Sequence, residues 1–194
     1  MRIVLIIAAL FLLCGFLGPH NAGVPIQDSV VACTGTAGTD VGSTEYVIAN
    51  ANHAYLMEVT VSSGCQADTG DEICARIENY DQSTYEWTFM VYDSDGGSGE
   101  PGTLLDSMAV SSSGSGSMDT VCEYLTQIVT FDNATVWVGF IGENTSSSYD
   151  AAATGGTKRR HIDLASQTAP GTWNAAGDTH YDSGRDIDVY ITFN

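Results

Sequence analysis

Basic residues are scarce. Six Lys and Arg stand against 24 Asp and Glu in 194 residues, a formal charge of -18, and Lys158 is the single lysine. All the acids, and every basic residue except Arg2, lie beyond position 27. A surface of that sign repels phosphate, so nucleic acid and an anionic membrane are poor partners. Charged residues of both signs reach only 15%, against about 25% in an average domain. Helical periodicity is missing as well: no stretch of about ten residues combines 3.6-residue spacing with caps. Together these shortages exclude a coiled coil or helical bundle. The length suits one domain rather than two.

Long apolar runs are absent but for one. After Arg2, Ile3 to Leu17 (IVLIIAALFLLCGFL) is apolar or small throughout, and shorter than the ~20 residues that span a bilayer. Pro19, His20-Asn21, Ala22 and Gly23 follow. This order is that of a secretory signal peptide, so residues 1–22 are expected to be removed and the protein to be extracellular or at a cell surface. A retained short anchor or a lipidated Cys14 are the alternatives, although Leu13 is bulky where a lipoprotein signal needs a small residue. No membrane span is expected after cleavage.

Beyond Cys14 four cysteines remain, Cys33, Cys65, Cys74 and Cys122. An even count in an exported chain points to disulfides. Three pairings exist. The simplest joins Cys65 to Cys74 across the polar loop QADTGDEI and leaves Cys33 to tie the N-terminal segment to Cys122. The chain has neither Cys-x2-Cys spacing nor paired histidines, which speaks against zinc.

Period-two alternation is abundant. Tyr55, Met57, Val59 and Val61 alternate with Leu56, Glu58 and Thr60. Tyr85, Trp87, Phe89 and Val91 alternate with Glu86, Thr88 and Met90, and Ile187, Val189, Ile191 and Phe193 with Asp186, Asp188, Tyr190 and Thr192. One face of each strand should be buried and the other solvated. Further strands are expected near residues 29–33, 45–49, 75–79, 104–110, 124–131, 135–141 and 158–164. The SSSGSGS loop (111–117) and a mostly irregular 143–185 lie between them. About eight to ten strands in an all-β chain predict an antiparallel two-sheet β-sandwich, jelly-roll-like, over 43–194, preceded by an arm at 23–42.

The stretch TFMVYDSDGGSGEPGTLLDSMAV (88–110) contains a VY-D-x-x-G-x-PG-x-LL hairpin. It is followed by ATVWVGF (134–140), a Gly-rich loop with Trp173, and a closing strand. Over roughly residues 45–193 this order resembles the secreted bacterial β-sandwich domains of the choice-of-anchor R type, whose relatives occur in surface and phage-tail proteins. The resemblance implies a non-catalytic extracellular sandwich and transfers no catalytic residue. The Cys-containing loop 62–74 and the lack of a C-terminal anchor depart from it.

Four sets of side chains are candidates for binding. Asp93, Asp95 and Glu100 in DSDGGSGE could supply oxygens to Ca2+. The spacing is not that of an EF-hand, since Gly97, Ser98 and Leu104 occupy its fifth, sixth and twelfth positions; a plain hairpin turn uses the same residues. Asp178, Asp182, Asp186 and Asp188 form a second acidic set, of which Asp186 and Asp188 share a strand face, read as half a cation site or a solvated face. Lys158-Arg159-Arg160-His161 concentrates the rare cations, for an anion or for surface ion pairs. Trp87 and Trp137 read as core. Trp173, between Gly171 and Gly177, is the candidate sugar-stacking ring, with Tyr181, Arg159 and Arg160 completing a ligand set; a plug for the sandwich end is the plainer reading. Asn133 and Asn144 open glycosylation sequons.

Gly-x-Ser-x-Gly, His-Glu-x-x-His and a phosphate loop are all absent, and His53, His161 and His180 are isolated, so no enzyme is expected. The expected function is a secreted binding or adhesion module, carbohydrate-binding, with glycans or a cell-surface partner. The alternative is a structural subunit of a surface layer, filament or virion-like assembly, in which residues 24–42 add a strand to a neighbour.

Overall fold

The structure is a computed structural model. It describes residues 31–39, 46–48, 51–79, 83–113, 117–143, 147–152, 159–164, 166–173, 179–181 and 186–194. The expected signal, Lys158, Asn144, Asp178 and Asp182 lie outside the described residues.

The chain is all-β. Its strands are β1 (Val31–Ala32), β2 (Gly35–Thr39), β3 (Tyr46–Ile48), β4 (His53–Thr60), β5 (Cys65–Ala67), β6 (Glu72–Asn79), β7 (Thr84–Asp93) and β8 (Leu104–Ser113). They continue with β9 (Asp119–Tyr124), β10 (Val129–Thr130), β11 (Thr135–Gly142), β12 (Ser147–Ala152), β13 (Arg159–Asp163), β14 (Thr179–Tyr181), β15 (Asp186–Ile187) and β16 (Val189–Phe193). The count exceeds the expected one because several strands are only two or three residues long.

One sheet has six strands in the order β14-β13-β4-β11-β7-β8, each antiparallel to its neighbours. The other has seven: β15-β12-β6-β16-β2, with β3 paired to β12 and β9 to β6. A small third sheet, β1-β5-β10, was not foreseen.

The expected alternation forms the core between the sheets. Met57 and Val59 of β4, Trp87, Phe89 and Val91 of β7, and Val138 and Phe140 of β11 meet Ile73 and Ile77 of β6 and Val189, Ile191 and Phe193 of β16. Trp87 stands edge-on to Phe140 with centroids 5.4 Å apart. Each such side chain contributes about 1.5–3 kcal/mol by leaving water. Gly139 in β11 is where two backbones crowd: a Cβ there would collide with the Tyr55 carbonyl.

The outer face of the six-stranded sheet is buried too. Ala54, Leu56, Met90, Tyr92, Trp137 and Ile141 form a second apolar cluster with Ala169 and Trp173. Their cover comes from residues 164 and 166–173, read from sequence as part of an irregular stretch. Hydrogen bonds strap this segment down: Leu164 N–H to Asn52 O (3.0 Å) and Leu104 N–H to Gly171 O (3.0 Å) from the backbone, Thr88 Oγ1 to Gln167 O (2.9 Å) and Tyr92 OH to Pro170 O (2.7 Å) from side chains. Leu56 and Met90, expected to face water, are therefore fully buried.

Three further expectations need correction. The disulfides are Cys33–Cys65 and Cys74–Cys122, not Cys65–Cys74 and Cys33–Cys122. β5 and β6 belong to different sheets, so the near cysteines in sequence diverge. Instead β1 runs parallel to β5 with Val31 opposite Cys65, while Cys74 and Cys122 face each other in register, Cα atoms 4.0 Å apart. The loop between Cys65 and Cys74 is closed by the buried Asp71, whose carboxylate accepts the N–H groups of Asp68 (2.8 Å) and Asn194 (2.8 Å).

Residues 31–39 are not an arm. β2 is an edge strand of the sandwich, antiparallel to β16, with Ala37 in the core. Its small residues allow the close fit, since at Gly38 (φ +120°) a Cβ would meet the backbone of Val189 and Tyr190.

Asp188 does not face solvent. Ile187, Asp188 and Val189 are all buried at the bend between β15 and β16. The Asp188 carboxylate lies 3.9 Å from Arg76 Nη1, and its carbonyl accepts the Arg76 N–H (3.1 Å).

Candidate functional site

The β7–β8 hairpin ends in a glycine-rich loop, residues 94–103. Its backbone closes on itself through Asp93 N–H to Thr103 O (2.9 Å), Gly102 N–H to Asp93 O (2.9 Å) and Gly96 N–H to Glu100 O (3.0 Å). Ser98 (φ 66°) and Gly99 (φ 78°) take the left-handed turn. Gly102 permits the closure, because a Cβ there would collide with the Asp95 carboxylate.

Asp95 clips the loop across its neck. One oxygen accepts Thr103 N–H (2.6 Å) and the other Thr103 Oγ1 (2.6 Å). These bonds, the hydroxyl's foremost, favour the ionised form and hold the Asp95 carboxyl below its ordinary range. Trp137 Nε1 donates to Gly99 O (3.1 Å) and draws the loop tip over the sheet face.

The strap completes the wall. Trp173 N–H donates to Gly102 O (2.8 Å), and Thr172 bridges to Thr103. The Trp173 ring stands edge-on to Tyr92, centroids 5.5 Å apart, and burial pushes the Tyr92 phenol pKa up. Between loop and strap opens a recess of ≈ 310 Å³. Asp95, Gly96, Glu100, Gly102, Thr172 and Trp173 are among its lining residues. The size lies at the lower end of small-ligand pockets.

Three sequence candidates, Asp95, Glu100 and Trp173, thus share one wall. Trp173 is only 5% exposed, so its contribution is an edge and not an open stacking face. Asp93 points elsewhere. It is buried and accepts Asn133 Nδ2 (2.8 Å) and Ser94 N–H (2.8 Å). Asn133, noted only for its sequon, is therefore a partner of this hairpin.

The calcium set does not assemble. Among the described residues, the only three potential ligands within 4.8 Å of one another are Glu72, Cys74 and Cys122. The Asp93 and Asp95 carboxylates take different partners, Asn133 for the one and Thr103 for the other.

The basic set lies apart. Arg159 sits opposite Tyr181, and Arg160 opposite His180. A straight row runs from Arg159 through Met57 and Val138 to Val91. Three strand spacings of about 4.8 Å separate β13 from β7, or about 14 Å.

Thr103 and Thr172 went unnoticed in the sequence. A threonine eight residues after an aspartate carries no local pattern; only the hairpin brings them together. Compared with known proteins, the chain matches no family model and no curated protein.

Proposed function

We propose that this chain is an exported, non-catalytic binding module that holds a small polar ligand of the sugar class in the recess between the β7–β8 loop and the strap. One observation carries the reading: Asp95, Glu100 and Trp173 line one ≈ 310 Å³ depression between the β7–β8 loop and the strap. Carboxylates and threonine hydroxyls accept and donate to sugar hydroxyls, and the tryptophan edge gives an apolar boundary. Two disulfides are compatible with an extracellular setting, and among the described residues no helix is long and apolar enough to cross a membrane. The likeness of the 88–110 hairpin to the choice-of-anchor R domains supports the same reading.

The assembly-subunit alternative draws less support. The strand available for donation, β2, already pairs with β16 of its own chain, and Cys33–Cys65 pins the chain two residues before it.

The test is a glycan panel probed with the mature chain. Glu100→Ala should weaken binding about ten- to a hundredfold, the effect of a charge-assisted hydrogen bond of ~1.5–3 kcal/mol. Thr172→Arg, which puts a long side chain into the recess from an exposed position, should abolish it. Retention of no glycan, or indifference to both substitutions, refutes the proposal.

A further inference from the structure

The outer face of the seven-stranded sheet carries a side-chain set that the recess does not use. Glu72 and Cys74 are two residues apart on β6 and so project from the same face. Cys122 on β9 stands directly opposite Cys74, in a ladder that runs from Glu72–Tyr124 to Ile77–Asp119. A Glu72 carboxylate oxygen and the two sulfurs lie within 4.8 Å of one another. The two sulfurs are bonded to each other in the oxidised chain, so what the cluster adds is a Glu72 oxygen within 4.8 Å of both. Once the bridge opens, the sulfurs must part to the roughly 3.5–4 Å that separates donor atoms around one tetrahedral zinc ion.

We propose that the Cys74–Cys122 bridge masks a zinc-class metal site, which a dithiol reductant uncovers. The dithiol transfers two electrons to the S–S bond and closes as its own disulfide. Cys74 and Cys122 become thiols, and their two protons leave as the ion binds both thiolates. Glu72 is the third ligand and water occupies the fourth position.

Two thiolates and a carboxylate suit borderline-soft Zn2+ rather than Ca2+ or Mg2+. The excess of acidic residues draws cations to the surface. Access through one sulfur singles out this bridge from the other. Cys74 is only 2% exposed, but Cys122 is exposed on the edge strand β9, whereas Cys33 and Cys65 are both buried at 6% and 1%, and thiol–disulfide exchange requires approach to a single sulfur. Spacing rules for zinc miss the set because its ligands come from two strands. The proposal does not depend on what fills the recess.

The probe is Co2+, whose thiolate complexes absorb in the near ultraviolet. The mature chain is reduced with dithiothreitol, desalted without air and titrated. The expected result is one Co2+ per reduced chain with a thiolate charge-transfer band, displaced by Zn2+ and absent from the oxidised chain. Cys122→Ser should lose the band, and Glu72→Gln should bind roughly tenfold more weakly. Because substitution at Cys122 can impair folding, two measurements on the unsubstituted chain stand beside it. Alkylation mapping should show Cys74 and Cys122 opening before Cys33 and Cys65, and Co2+ should raise the melting temperature of the reduced chain. Absence of the band, equal affinity in Glu72→Gln, the reverse order of opening, or a melting temperature that does not rise each overturns the proposal.

Discussion

The two sheets treat their outward residues in opposite ways. On the six-stranded sheet Leu56, Met90, Tyr92, Trp137 and Ile141 point away from the sandwich interior and are nonetheless buried, because residues 164 and 166–173 lie across them. On the seven-stranded sheet the outward row is Glu72, Cys74, Arg76 and Glu78 on β6 with Tyr190 and Thr192 on β16, polar but for a disulfide; Cys74 and Glu78 are buried and the others half-buried. The recess forms only where the cover ends against the β7–β8 loop. An apolar face under a strap yields a concave site at the strap's margin; a polar, half-buried face keeps its chemistry on the sheet itself.

Trp173→Ala should break this contrast most severely. It removes the largest side chain of the cover and leaves a cavity beside Tyr92, for a loss of about 3–5 kcal/mol. Tyr190→Ala, the matching truncation on the polar face, should cost clearly less. Denaturant unfolding of both variants makes the comparison; equal losses would mean that the strap contributes little.

Opening the other face comes second. Replacing Cys74 and Cys122 together by Ser should cost about 2–4 kcal/mol through the freed unfolded chain. Binding at the recess, on the opposite sheet, should be unchanged. A variant that is stable yet loses the ligand would contradict the separation of the two faces.

Tyr92→Phe is milder. It deletes the hydroxyl that donates to Pro170 O (2.7 Å) and keeps the ring, so about 1 kcal/mol is expected. Hydrogen exchange should nevertheless quicken at Leu104 N–H, which the strap's Gly171 carbonyl accepts, and remain unchanged in β6.

The smallest effect is that of pH on the loop clip. Asp95 has a folded pKa below its unfolded value. Its contribution is therefore present above the ordinary Asp value of about 3.9 and is lost as pH falls through the folded pKa. Asp95→Asn should flatten the acid limb of the stability curve slightly and loosen the loop. The carboxylate is largely exposed, so solvent screening keeps the change small.

The interior face was legible from residues alone. Trp87, Phe89 and Val91, or Val189, Ile191 and Phe193, alternate with polar neighbours, and the period fixes which of them meet. The outer face of β11 was not, since TVWVGFIG has no alternation to read: both its faces are buried. A covering loop announces itself only by such failures. Asp188 misled because it is buried at the bend between β15 and β16 although Ile187, Val189, Ile191 and Phe193 keep their period-two phase in the core. The disulfides misled because proximity in sequence says nothing of which sheet a strand joins. At the site, the acidic glycine-rich loop and Trp173 were visible, but their meeting depends on a crossing between residues 102–103 and 172–173 that no local pattern encodes.

The central claim is that ligand occupies the recess. The most direct measurement is a nuclear magnetic resonance titration of the labelled mature chain with an oligosaccharide retained by the panel. Amides of residues 95–103 and the indole N–H of Trp173 should shift together, while that of Trp87, sealed between the sheets, stays still. Shifts confined to β6 and β9, or none at all, would contradict it.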